Sequence, residues 1–316
     1  MKVLANDGIS QSGVDALQKA GYEVITTKVA QEQLANFINE NEVSAILVRS
    51  ATQVRKDLID ACPGLKLIGR GGVGMDNIDV DYARDKGLHV INTPAASSAS
   101  VAELVFAHLF GGVRYLFDAN RNMPLDGDTK FKDLKKSYAG GIELRGKTLG
   151  IVGFGRIGRE VAKIAIGIGM NVIASDRFIE EAEIELDFFD GQKASFKLVT
   201  KPLDELLKQS DFISLHVPAQ KEYVIGKKQI EMMKEGAALI NAARGGVLDE
   251  DALLEALENK KLAFAALDTF ENEPKPAVKV LMNQKVSLSP HIGAATKEAQ
   301  DRIGTELASQ IQSLLG

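Results

Sequence analysis

The chain has 316 residues, of which 45% are hydrophobic and 26% charged, with 8 prolines and a formal net charge of -5. That length exceeds what one hydrophobic core fills, so two domains with a cleft are expected, and the composition is that of an ordinary globular fold rather than a disordered or fibrous one. No run of lysine or arginine gives the basic footprint of a nucleic-acid binder, and Cys62, the sole cysteine, excludes an internal disulfide and a cysteine-cluster metal site.

At the amino terminus, residues 1–7 reach charge before a signal-peptide core forms, and no apolar run of about 18 residues follows, so the reading expects a cytoplasmic protein with no membrane partner. Short β-rich runs at 3–5, 22–25, 45–48, 67–68 and 89–91 alternate with amphipathic stretches, the pattern of a parallel sheet. Residues 100–112 carry a long apolar helical pattern and predict a linking helix; the polar, glycine-containing stretch 118–141 predicts an extended arm. A second alternating series at 148–152, 171–174, 212–215, 238–240, 263–267 and 286–288 predicts a second parallel sheet, with a small hairpin around Asp190-Gly191 in the insert 183–200. In the last stretch, 297–315, Ile303, Leu307, Ile311 and Leu314 follow helical spacing and predict a closing helix that packs back onto the first domain.

The strand at 148–152 runs directly into Gly153-Phe-Gly155-Arg-Ile-Gly158, and an apolar-periodic helix follows through Val161, Ala162, Ala165 and Ile168. Gly153 allows the tight turn, Gly155 lets the backbone approach a pyrophosphate, and Gly158 permits close helix–strand packing. Asp176, at the end of the next strand, is placed to accept the hydroxyls of an adenosine ribose and to repel a 2′-phosphate, which points to NAD rather than NADP. Arg177 beside it leaves partial use of NADP open.

Three further segments stand at predicted strand ends, where ligands of open α/β sheets bind: Asn241-Ala-Ala-Arg244-Gly-Gly, Asp268-Thr-Phe-Glu-Asn-Glu273-Pro and Ser289-Pro-His291-Ile-Gly-Ala-Ala-Thr. Hydride exchange with a hydroxy acid needs a proton acceptor for the hydroxyl, a cation for the carboxylate and a carboxylate to orient the imidazole. His291, Arg244 and Glu273 are of these types. Arg49 and Arg70 follow strands of the first sheet, on one edge of it, and suit the phosphate of a substrate whose carboxylate Arg244 holds; surface ion pairs are their plainer reading.

Together these motifs resemble the signatures of the D-isomer-specific 2-hydroxyacid dehydrogenase family over nearly the whole chain. The resemblance implies an α/β fold of two doubly wound parallel-sheet domains, a Rossmann-type NAD-binding domain at 99–291 and a flavodoxin-like substrate domain at 1–98 with 292–316. It implies that Arg244 clamps the substrate, that His291 is the acid/base and that Glu273 pairs with it. Around NAD it places Gly153, Gly155, Arg156, Ile157, Gly158, Asp176, His216, Pro218, Ala242, Asp268 and Gly293, with Asp268 near the nicotinamide carboxamide. Around a small anionic 2-hydroxy or 2-oxo acid it places Arg49, Ser50, Arg70, Gly71, Gly72 and Val73 beside Arg244 and His291. The segments Val48–Thr52, Gly69–Gly74, Ala242–Glu250 and Pro290–Gln300 resemble most the members that oxidise 3-phospho-D-glycerate, in a short form without a carboxy-terminal regulatory domain. The arm resembles the segment through which family members form homodimers.

A reductase of glyoxylate or hydroxypyruvate would need the same three catalytic residues without the phosphate-binding arginines. A reading of a different class, an NAD-sensing corepressor on the same fold, remains open because fold alone does not fix function. His216 ends a strand, where a cofactor-side contact and a structural hydrogen bond are both open. His89 opens a strand and His108 lies in the apolar linking helix; both read as packing residues.

Overall fold

Alternate residues of the first strands are apolar on both faces, and the structure, a computed structural model, uses both. It describes all 316 residues, which divide into a first unit, Met1–Ser100 with Ala294–Gly316, and a second, Val101–Gly293. In the first unit β1 (Lys2–Ala5), β2 (Glu23–Ile25), β3 (Val43–Val48), β4 (Leu67–Arg70) and β5 (His89–Asn92) form one parallel sheet in the order β2-β1-β3-β4-β5. Leu4, Ile46 and Ile68 face α2 (Leu34–Glu40) and α3 (Lys56–Ala61); Val3, Leu47 and Leu67 face the other layer, which includes α1 (Gln11–Lys19). A short α4 (Val80–Asp85) precedes β5.

The second unit takes most of α5 (Ser98–Val113), then α6 (Leu116–Asp126) and α7 (Phe131–Ser137). The expected extended arm is therefore wrong in conformation: it is two helices. Its glycines lie outside both helices, and Pro124 sits inside α6, so the polar composition and the proline masked two short helical runs.

A six-stranded parallel sheet follows, built from β6 (Thr148–Val152), β7 (Asn171–Ser175), β10 (Phe212–Leu215), β11 (Ala237–Asn241), β12 (Leu262–Leu267) and β13 (Val286–Leu288). Its order is β13-β12-β11-β10-β6-β7, so the chain leaves β6 in one direction and returns at β10 on the other side. One face packs α5 and α8 (Arg156–Gly167) through Val105, Leu109, Val161 and Ala165; the other packs α9 (Leu203–Gln209), α10 (Lys227–Met232) and α11 (Glu250–Glu258) through Leu206, Ile230, Leu253 and Leu257. The insert forms an antiparallel hairpin of β8 (Glu181–Asp187) and β9 (Lys193–Val199), longer than expected and turning at Asp190-Gly191. The short α12 (Val278–Leu281) leads into β13.

The closing helix α13 (Lys297–Leu315) is capped by Thr296, whose side chain accepts the Ala299 N–H. It returns to the first unit, burying Ile303, Leu307 and Ile311. There it packs on α1 where glycines meet: a Cβ on Gly13 would lie 2.8 Å from the Gly304 Cα. No single helix is long and apolar enough to cross a membrane. Only α5 and α6 together, bent by 56°, reach that length and apolarity, and much of α5 is core.

Candidate active site

The reversal between β6 and β10 opens the end of the sheet where parallel α/β folds bind ligands. Gly153, leaving β6, has a φ of +94°, and a Cβ there would fall 2.6 Å from the His216 carbonyl oxygen beyond β10. Glycine is the residue that fits both demands. A Cβ on Gly158 would strike the Gly153 carbonyl, so the third glycine seats α8 against the turn. At Gly155, the residue before α8, a Cβ would meet nothing within 4 Å; the backbone there borders open space at the start of a 12-residue helix. Arg156 is exposed beside it and Ile157 packs inward on the core.

Asp176 follows β7. One carboxylate oxygen accepts the Phe154 N–H at 2.7 Å, and the other accepts the N–H groups of Phe178 and Ile179 at 2.9 and 3.1 Å. Partial burial pushes its pKa up, but these three bonds and the Arg159 charge outweigh that and hold it below the usual carboxylate range. The acid is thus fixed to the glycine turn in ionised form. A phosphate-accepting turn with an anchored carboxylate beside it fits a dinucleotide. His216 completes the rim: Nε2 lies 2.8 Å from the Ser214 hydroxyl, Nδ1 is buried without a partner, and burial pushes the pKa down to about 3. It is a neutral ring with one nitrogen still to be satisfied. Pro218 is exposed beyond it and Ala242 is buried at the neighbouring strand end.

Because β11, β12 and β13 are adjacent and parallel, their following loops leave one edge of the sheet. After β11, the Asn241 side chain accepts the Ala243 N–H and donates to the Arg244 carbonyl, closing the turn that carries Arg244. The Arg244 Nη1 donates to the Ala243 carbonyl at 2.6 Å. A Cβ on Gly245 would strike the Phe270 carbonyl, so this loop lies directly on the one that carries Glu273. There Glu273 accepts the Phe270 N–H through Oε1 and meets His291 Nδ1 through Oε2 at 2.8 Å. His291 is partly exposed and has a φ of +53°. Asp268 is buried and accepts the Ile292 and Gly293 N–H groups at 2.8 and 2.9 Å and the Ser289 hydroxyl at 2.7 Å. Sequence reasoning assigned this acid to the cofactor alone and missed its hold on the loop.

In the first unit, Arg49 and Arg70 follow and end β3 and β4. The Arg49 backbone is pinned from both sides: its N–H donates to Asp7 at 2.7 Å and its carbonyl accepts from Asn77 at 2.8 Å. Asp7 also holds the Thr52 N–H and hydroxyl, so the loop with Ser50 is tied to the end of β1. The Arg49 side chain passes Gly71, and the Arg70 guanidinium occupies the place a Cβ on Gly72 would take. Both arginines therefore flank one glycine pair, followed by the exposed Val73.

A glycine turn of dinucleotide-binding form and an imidazole–carboxylate pair at the ends of one parallel sheet define a nucleotide-binding α/β protein. The chain belongs to the D-isomer-specific 2-hydroxyacid dehydrogenase family: the model described as "D-isomer specific 2-hydroxyacid dehydrogenase, NAD binding domain" matches residues 106–293. It is 41% identical to a hydroxypyruvate reductase of Thermotoga maritima over 100% of this chain and 98% of that one. It is also 41% identical to a D-3-phosphoglycerate dehydrogenase of Methanocaldococcus jannaschii, over 100% of this chain but 57% of that relative. The structure of an Aquifex aeolicus D-lactate dehydrogenase, complexed with NAD and lactic acid, superposes with a TM-score of 0.75 at 31% identity, covering 100% of this chain and 95% of that one.

Proposed function

We propose that the protein oxidises a D-2-hydroxy acid at C2 with NAD, and that the substrate is 3-phospho-D-glycerate, converted to 3-phosphohydroxypyruvate as in serine biosynthesis. The observation that carries the reaction class is the 2.8 Å pair of His291 and Glu273 on the strand-end loops of the NAD-binding domain. Bound NAD would supply the hydride acceptor. The glycine turn with Arg156 and Ile157 holds its phosphates, Asp176 its ribose hydroxyls, and His216, Pro218, Ala242, Asp268 and Gly293 the rest of it.

Arg244 grips the substrate carboxylate and carbonyl side. His291 accepts the C2 hydroxyl proton through Nε2, because Nδ1 is engaged by Glu273, and that carboxylate stabilises the imidazolium as it forms. Arg49 and Arg70, with the Ser50 and Gly71–Val73 backbone, hold the phosphate. Two cationic residues whose side chains run beside neighbouring glycines, Arg49 past Gly71 and Arg70 at Gly72, support a dianionic group over the bare hydroxymethyl of D-glycerate. In the homodimer proposed here the interface includes the α6–α7 segment, where Leu116, Leu125 and Phe131 are exposed apolar side chains on a monomer. The cytoplasm is the proposed compartment.

A second reading, reduction of hydroxypyruvate or glyoxylate, is favoured by the Thermotoga maritima relative, which this chain matches over 98% of its length. An absorbance assay of NADH formation against 3-phospho-D-glycerate, D-glycerate and glycolate separates the two. The proposal expects the phosphorylated acid to be preferred, and a preference for D-glycerate or glycolate would replace it with the second reading.

A further inference from the structure

Between Val101 and Val113, the part of α5 that lines the core, the buried polar side chain is His108. His108 is 7% exposed, and both its ring nitrogens are engaged by serines of and just after β13: Nδ1 lies 2.8 Å from the Ser287 hydroxyl and Nε2 2.9 Å from the Ser289 hydroxyl. Burial pushes its pKa down, against a smaller upward pull from the Asp268 charge.

The proton directions follow from the far end. Asp268 accepts the Ile292 and Gly293 N–H groups and the Ser289 hydroxyl. Ser289 has one proton and gives it to Asp268, so its oxygen must accept from His108, which makes Nε2 the protonated nitrogen. Nδ1 of the neutral ring then accepts from Ser287. The result is one directed chain of donors, Ser287 to His108 to Ser289 to Asp268, and it ends on the Asp268 carboxylate, which also accepts the N–H groups of the two residues after His291.

His291 itself is held at a positive φ, a conformation that a residue with a side chain keeps only where its surroundings impose it. The surroundings are this network. Ser289 anchors the loop two residues before His291, and Asp268 holds it at the two residues after. Gly293 shows how close the fit is, since a Cβ there would lie 3.1 Å from the Asp268 Oδ2 and 3.2 Å from Val101 of α5.

We propose that His108 is a positioning residue for His291: as a neutral ring donating through Nε2, it fixes the Ser289 hydroxyl on Asp268, and Asp268 fixes the loop that carries the acid/base. The inference rests on the proposed role of His291. Its test has an arm that needs no turnover. Two-bond 1H–15N spectra of the full chain should show His108 as the neutral Nε2–H tautomer across the neutral pH range; an Nδ1–H tautomer or an imidazolium overturns the proposal. The second arm compares His108→Leu, which removes the donor, with His108→Gln, whose amide can restore a donor near Nε2. His108→Leu should lose about tenfold in kcat, and His108→Gln should recover most of that loss. Wild-type kcat in His108→Leu, or equal losses in both variants, reduces His108 to core filling. If His108→Leu does not fold, Ser289→Ala cuts the same link and is expected to show the same loss, and undiminished kcat there overturns the proposal. Inactivity of the unmodified protein toward every 2-hydroxy acid would remove the reading of His291 while leaving the tautomer measurement in force.

Discussion

His291, with the general-base role proposed for it, should be the least replaceable side chain in the molecule. His291→Asn is expected to lower kcat by about 10²–10⁴-fold while fluorescence titration shows NADH binding retained; near-normal turnover would end the assignment. Asp176 clamps three backbone N–H groups and is also the proposed ribose acceptor, so Asp176→Ala should lower both the NAD-to-NADP ratio of kcat/KM and the melting temperature. A preserved ratio would remove it from cofactor choice. His216 governs an acid limit on stability. Burial holds its folded pKa at about 3, below the ordinary imidazole value of 6.5, so the unfolded chain takes up the proton first and stability is lost as pH falls through that window. The melting temperature of His216→Gln should therefore fall less steeply than wild type over the same window, and parallel curves would show that the ring is not buried neutral. The segments that bring His291 and Glu273 to 2.8 Å were legible in sequence because each follows a strand end. The role of His108 was not, because its two serine partners lie 179 and 181 residues away along the chain.

The glycine turn between β6 and α8 was the most readable element, since strand, glycines and helix are contiguous and each glycine answers a local steric demand. Gly153→Ala sets a methyl group against the His216 carbonyl at a positive φ, which should cost about 1–3 kcal/mol of stability and weaken NADH binding at the same time. Unchanged binding in a folded Gly153→Ala would mean that the turn does not hold the cofactor. The sheet strands were legible for a similar reason, because parallel strands buried on both faces read as short apolar runs. The arm at 118–141 was not. Most of the side chains of α6 and α7 are exposed, so no apolar stripe marks their period, and composition suggested an extended segment instead. The hairpin β8–β9 was visible only at its Asp-Gly turn. Its strands are joined by ion pairs of Lys193 with Glu185 and Lys197 with Glu181.

At the scale of the molecule, the family and its NAD-binding domain follow from the match over residues 106–293, and the choice of substrate rests on far fewer atoms. Relatives at the same identity carry the names of two different substrates, so overall similarity does not separate them. The substrate proposed here rests on side chains at the ends of β3 and β4. The Arg49 stem passes Gly71, the Arg70 guanidinium lies at Gly72, and the Arg49 backbone is pinned by Asp7 and Asn77, and on these positions the proposed phosphate site rests. Charge-assisted contacts of this kind contribute about 2 kcal/mol each, roughly thirtyfold in kcat/KM. The most direct test is therefore kcat/KM with NAD for 3-phospho-D-glycerate and for D-glycerate in wild type and Arg70→Ala. The phosphorylated acid should be preferred by wild type and lose about thirtyfold in the variant, with D-glycerate little changed; equal losses for both acids, or no preference in wild type, would contradict a phosphate site at these arginines.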